Sequence, residues 1–172
     1  EVFEDKVGRF MSEYGFQGYP GINTVEKFTN ESDRDLDSEV MRVHQKHPRG
    51  LELVKMYMER DYFVPDDFNS FLYVSQLLQA EGMKTAIEAH RRAKPYCMGT
   101  LYWQLNDCWP VSSWSSVDYY GRWKALQYFV REAYKTYLVS AYENYEMLDI
   151  YVVSDSAEDI NAILDIRLLT FD

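Results

Sequence analysis

The chain has 172 residues, 47% of them hydrophobic and 16% aromatic, with a formal net charge of −10. That hydrophobic share supports a packed core and excludes global disorder. The acidic balance excludes a phosphate backbone as partner, and no run of about 18 apolar residues is present to span a membrane. The acidic residues are spread along the sequence rather than gathered in a tail. The 15 Tyr, 9 Phe and 4 Trp suit either stacking on sugar rings or an aromatic-rich core, and composition does not choose between them. No signal peptide is recognisable, and the chain begins at Glu1 with its first strand almost at once. It reads as a piece of a longer polypeptide.

Residues 7–13 carry strand signals. In Arg9-Phe10-Met11-Ser12-Glu13-Tyr14-Gly15-Phe16 an apolar run reaches one acid, then an aromatic, then a glycine. A buried strand that ends at a site and turns sharply has this pattern. A carboxylate there is costly to bury unless it has partners or a task. Glu13 is therefore the leading candidate for a functional residue, and the plainer alternative is a solvated acid opening a loop. Residues 14–20, with two glycines and a proline, read as a turn-rich loop.

Residues 24–28 suit a short helical turn and 29–37 an exposed acidic loop. Asn30-Glu31-Ser32 matches the N-glycosylation acceptor pattern, which has meaning only in a eukaryotic secretory setting. Residues 36–47 and 51–62 read as helices, with Gly50 as the break between them. In the second, Leu51, Val54, Met58 and Tyr62 recur at helical spacing. A longer helix follows Val64-Pro65-Asp66-Asp67, with Asp66 or Asp67 as N-cap. Phe68, Phe71, Leu72, Leu78, Ile87 and Arg91 mark one of its faces. His90, Arg91, Arg92 and Lys94 complement the dipole at its C-terminal end, and Pro95 stops it. His44, His47 and His90 lack ligand-like spacing, so no metal is assigned.

Cys97-Met98-Gly99-Thr100-Leu101-Tyr102-Trp103-Gln104-Leu105-Asn106-Asp107-Cys108-Trp109-Pro110 reads as a second strand that ends at a site. If it is extended, its two thiols lie beyond the roughly 7 Å Cα limit for a disulfide, so both are expected free. Residues 112–121 form a Ser- and Tyr-rich loop around Trp114. Trp123, Leu126, Val130, Ala133 and Tyr137 then give a helical stripe. Residues 148–153 and 163–171 carry strand signals, with a polar turn at 154–161, and read as the first hairpin of an all-β domain.

Strands alternating with helices imply parallel pairing and a βαβ unit, hence an α/β fold. Two such strands make at most the last quarter of a (β/α)8 barrel, which needs about 250 residues. In such a barrel both strand ends open on one face, which brings Glu13 towards Trp103, Gln104, Asn106 and Asp107. Glycoside hydrolysis needs a carboxylate at the anomeric carbon, an apolar floor under the ring and polar groups for the hydroxyls. All but a second, proton-donating carboxyl are represented.

Residues 9–15 together with Leu101-Tyr102-Trp103-Gln104-Leu105-Asn106-Asp107 resemble glycoside hydrolase family 2, and within it the β-mannosidase branch. Ser112-Ser113-Trp114-Ser115-Ser116, Gly121-Arg122-Trp123-Lys124-Ala125-Leu126 and Ile150-Tyr151-Val152-Val153-Ser154-Asp155 extend the resemblance to nearly the whole chain. It implies that residues 1–139 are the C-terminal part of a TIM-barrel catalytic domain, its seventh and eighth βα units. Residues 140–172 would open an Ig-like β-sandwich. It further implies a retaining, exo-acting β-mannosidase with Glu13 as nucleophile and Trp103 as sugar platform. Asn106, Asp107 and Trp114 would lie in or beside the same subsite, while Trp109 and Trp123 pack in the core.

The family's acid/base is a Glu after an Asn on an earlier strand, and this chain lacks it. Asn30-Glu31 does not qualify, because it sits downstream in a polar loop with no apolar strand before it. The chain alone is therefore expected to be inactive, and its unpaired strand edges invite self-association. The partners implied are a small carbohydrate substrate, a mannoside or mannan-derived oligosaccharide, and the remainder of the parent chain, without a cofactor. Periplasm, secretion and lysosome are all compatible with the family. The competing readings are a non-catalytic carbohydrate-binding or structural module, or the same family acting on β-galactosides or β-glucuronides. The stretch from Gln104 to Trp114 argues against the latter. No phosphate-binding Gly-rich loop, Gly-x-Ser-x-Gly elbow or Cys-x-x-Cys pair is present.

Overall fold

The computed structural model describes residues 2–170. In chain order they form helices α1 (Val2–Asp5) and α2 (Ile22–Val25), a 3-10 turn at Glu31–Asp33, then α3 (Glu39–Val43), α4 (Gly50–Asp61), α5 (Phe68–Arg92) and α6 (Ala125–Ala133). Strands β1 (Tyr137–Asn144) and β2 (Met147–Ser154) follow.

Helix α5 is the spine. Asp67 caps it by accepting from the Ser70 amide at 2.9 Å, and His90, Arg91 and Arg92 occupy its last turn. Its N-terminal half buries Phe71, Leu72, Val74 and Leu78 against Val54 and Met58 of α4, with Tyr19 and Val25. Its C-terminal half buries Ala80, Met83, Ala86 and Ile87 against Leu126, Val130 and Ala133 of α6, with Tyr14. Each fully buried Leu, Ile, Phe or Met contributes about 1.5–3 kcal/mol, so one helix carries two hydrophobic cores. Among the described residues no helix is long and apolar enough to cross a membrane.

The two apolar segments read as strands do run side by side and parallel, but neither forms a full strand. Regular pairing is limited to one bridge, Met11 with Thr100. The Met98 amide donates to the Arg9 carbonyl (3.0 Å), the Met11 amide to Gly99 (2.8 Å) and the Leu101 amide to Met11 (2.8 Å). The next amide, that of Trp103, goes to Tyr14 (2.7 Å). An uninterrupted ladder would use the carbonyl of Glu13. The one-residue slip ends the pairing, and it falls at Glu13.

Other expectations need correction. Of residues 36–47 only Glu39–Val43 is helical. Beyond it the chain is captured by distant partners: His44 stacks on Phe28 with centroids 3.9 Å apart, and the Lys46 amide donates to the Ser112 carbonyl at 3.1 Å. Gly50 is not the break but the first residue of α4. It is buried where an added Cβ would lie 2.5 Å from both Gln17 Oε1 and Gln45 Oε1.

The helical stripe of α6 shrinks to Leu126, Val130 and Ala133. Trp123 precedes the helix and is 45% exposed, so it is no core residue. Its ring lies against Tyr128, with centroids 5.0 Å apart. Trp109 is half-buried beside the His44 ring.

The hairpin also differs. Residues 148–153 do pair, but their antiparallel partner is Tyr137–Asn144, from Tyr137 opposite Ser154 to Asn144 opposite Met147. Residues 163–170 form no strand, and Ile163 and Leu168 are fully exposed. Phe171 lies outside the described residues. A lone hairpin is marginal in water, and this one is supported by α5. Leu138 and Val153 are buried, Ser140 Oγ donates to Glu88 Oε2 at 2.6 Å, and Arg92 lies over the Tyr142 ring at 5.1 Å. Cys97 is buried, Cys108 is exposed, and both are free, as their spacing predicts.

Candidate active site

The parallel run brings Glu13 and Trp103 to the same end of the paired segments. Tyr14 is buried, and its hydroxyl lies 2.7 Å from Thr100 Oγ1, which in turn lies 2.8 Å from His90 Nδ1. Burial pushes the Tyr14 phenol up, so it stays protonated, and burial holds the His90 imidazole below its ordinary value. Tyr14 is thus an anchor below the surface, while its neighbour Glu13 is exposed. Among the described residues the Glu13 carboxylate has no hydrogen-bond or ion-pair partner.

Gly15 decides how closely the loops meet. A Cβ there would lie 2.5 Å from the Trp103 carbonyl oxygen and 3.0 Å from Trp114 Cδ1. Only a residue without a side chain lets the turn after Glu13 fit between the two tryptophans. Trp103 is 48% exposed and is joined to Gln104 by a cis peptide. Trp114 is half-buried, with its indole edge-on to His47 at 6.2 Å. Trp114 also borders an open groove with Gly15, Phe16, His47, Tyr57 and Arg60. Glu13, Trp103, Asn106 and Asp107 do not line that groove.

Asn106 is exposed, and its carbonyl accepts from Gln104 Nε2 at 2.7 Å. Asp107 is placed differently, with a side chain only 1% exposed. Its Oδ2 accepts from the hydroxyls of Ser113 and Ser115, and its Oδ1 from Gln104 Nε2 (3.2 Å) and Lys46 Nζ (3.4 Å). Oδ2 orders the loop that carries Trp114 and Oδ1 is held by Gln104 and Lys46, so both oxygens of Asp107 are engaged within the protein.

Gln104, which the sequence sets at this strand end, has its Oε1 buried without a partner among the described residues. Two further polar residues carry no such sequence signal. Gln79 and Lys124 are fully buried beneath the loops. Lys124 follows a tryptophan just before a helix, and Gln79 sits in a long amphipathic helix. Neither context distinguishes a buried polar group from a solvated one. Among the described residues no group of three or more His, Cys, Asp or Glu could hold a metal ion.

No protein-family profile matches the chain. A β-mannosidase from Capra hircus is 37% identical over 177 residues, covering 95% of this chain and 20% of its own length. β-Mannosidase A from Emericella nidulans is 31% identical over 186 residues, with the same coverage of each. The crystal structure of a β-D-mannosidase from Dictyoglomus thermophilum superposes with a TM-score of 0.88 at 37% identity, covering 91% of this chain and 20% of that one. The chain thus spans about one fifth of the length of the relatives it matches. In sequence and in structure it is related to the β-mannosidases of glycoside hydrolase family 2, as a segment of that length.

Proposed function

We propose that this chain supplies the nucleophile and part of the sugar-binding floor of a retaining, exo-acting β-mannosidase. In this reading residues 1–139 are the last two βα units of a TIM-barrel catalytic domain, and residues 140–172 open an Ig-like sandwich. One observation carries it: parallel pairing sets Glu13 and Trp103 at one end of two adjacent segments, with Gly15 seated between Trp103 and Trp114. A carboxylate without a partner among the described residues, at the same end as an exposed indole, supports attack at an anomeric carbon.

The Glu13 carboxylate attacks the anomeric carbon of a terminal β-mannoside. The new carbon–oxygen bond forms as the glycosidic bond breaks, giving a glycosyl-enzyme. A second carboxyl, about 5–5.5 Å from the first, protonates the leaving oxygen and then activates the water that releases mannose. Asp107 is unsuited to that task because its oxygens are already held. The donor is therefore assigned to a part of the enzyme outside these 172 residues. Trp103 and Trp114 bound the subsite, Asn106 is available for a hydroxyl, and Asp107 acts through the loop it orders.

The intact protein containing this chain is expected to turn over an aryl β-mannoside in preference to the β-galactoside and β-glucuronide. A slow 2-fluoro mannoside should add one sugar mass to the peptide that contains Glu13. Labelling at another carboxylate would remove the assignment. The 172-residue chain alone should show no turnover; hydrolysis by it would show that the second carboxyl lies within it.

A further inference from the structure

We infer that Lys124 and Gln79 are positioning residues, which clamp the turn after Glu13 onto the loop that carries Trp114. The inference rests on the assignment of Glu13 as nucleophile. Lys124 stands at the N-cap of α6 and is 2% exposed. Its Nζ donates to the carbonyls of Gly18 (2.9 Å) and Ser113 (3.3 Å). Those two residues also pair through their backbones, the Gly18 amide donating to Ser113 at 3.0 Å. From α5, Gln79 Nε2 reaches the carbonyls of Phe16 (2.8 Å), Ser115 (3.3 Å) and Ser113 (3.5 Å). Carbonyls from both turns thus converge on two side chains.

The geometry is specific to these two groups. Gly18 has no room for a side chain, since its Cβ would lie 2.7 Å from Gln79 Oε1. The clamp joins residues 106 positions apart in the chain. It holds Gly15 between Trp103 and Trp114 from the side opposite solvent. A buried ammonium is normally paired with a carboxylate, and removing one partner of such a pair is strongly destabilising. Lys124 instead faces carbonyls, with Asp107 and Asp118 near enough to act through their fields. Burial pulls its pKa down to about 7 against the opposing pull of those two acids. A neutral amine still has an N–H for each carbonyl, so the clamp holds in either protonation state.

A purely structural Lys124 would affect folding alone, whereas a positioning residue affects the chemical step. The test is made in the intact protein with Lys124→Met and Gln79→Leu. For each, kcat and KM on an aryl β-mannoside, the rate of Glu13 labelling by the slow 2-fluoro mannoside, and the melting temperature are measured. Misplacing the nucleophile should lower kcat and the labelling rate about 10- to 100-fold with KM changed less than about threefold. Should Lys124→Met fail to fold, Gln79→Leu decides by the same measurements. Variants that melt earlier but label Glu13 at the wild-type rate would overturn the inference. Glu13→Gln is the control: if it keeps full turnover, the nucleophile assignment falls and the positioning inference with it. If it is inactive while Lys124→Met and Gln79→Leu turn over normally, the positioning inference alone falls.

Discussion

Glu13 and Asp107 are both acids at the end of an apolar segment, yet their surroundings are opposite. Asp107 is buried and receives two serine hydroxyls, a glutamine amide and a lysine. Glu13 is exposed and, among the described residues, makes no side-chain contact of that kind. Below it the order is high: Tyr14, Thr100 and His90 form a partly buried chain of polar contacts. The difference separates an acid whose charge organises protein from one whose charge is left available to something else. It also explains why two acids in similar sequence settings need not share a role.

The comparison is broken most directly at Glu13. Replacement by Gln in the intact protein should reduce mannoside turnover by on the order of 10³-fold or more. Because the side chain is exposed and, among the described residues, unpaired, stability should change by less than about 0.5 kcal/mol. A large drop in melting temperature with activity retained would reverse the roles of the two acids.

At Asp107 the expected effect is on folding. Asp107→Ala leaves two hydroxyls, an amide and a lysine without their acceptor, and should cost about 3 kcal/mol in a denaturant titration. Asp107→Asn keeps an acceptor oxygen and should cost less. Equal stability of wild type and Asp107→Ala would mean that the buried network does not order the loop.

Gly15 sharpens the comparison, because it joins the two settings. Gly15→Ala places a methyl 2.5 Å from the Trp103 carbonyl, so the turn must move away. A cost of about 1–3 kcal/mol is expected, together with a drop in the labelling rate of Glu13. Unchanged labelling would show that the tryptophans need not flank this turn.

The smallest effect concerns the support beneath Glu13. Burial holds the His90 imidazole below its ordinary 6.5. As pH falls through that value the unfolded chain takes up the proton first, so it binds more protons than the folded one and stability declines. The His90 contribution is present above about pH 6.5 and is lost as the pH drops through the lower folded value. Melting curves between pH 7.5 and 5 should therefore flatten in His90→Gln relative to wild type. An equal pH slope in both would place His90 outside this linkage.

Much of the local structure was legible. The Asp67 cap, the apolar face and basic end of α5, and the stop at Pro95 all act within a few residues, and all are found. The hairpin was misread for an equally local reason. Its two-residue turn, Tyr145-Glu146, puts Tyr145 at φ 56° where glycine or asparagine is usual. Without that signal the sequence of 137–144 carries no hairpin mark, and the alternating run at 163–171 looks the better partner for 148–153. Trp123 shares a period with Leu126, Val130 and Ala133, but the helix begins two residues after it, so the stripe does not reach it.

By itself, the sequence determined which segments are apolar, where the long helix starts and stops, and that a lone acid and an indole end two segments able to run parallel. These follow from periodicity and capping, which depend on near neighbours. Only the tertiary structure decided that Asp107 turns inward, that the ladder slips by one residue at Glu13, and that Lys124 and Gln79 grip carbonyls from two distant turns. A buried polar group is specified by where its partners arrive after folding, and here the partners lie up to 106 residues away.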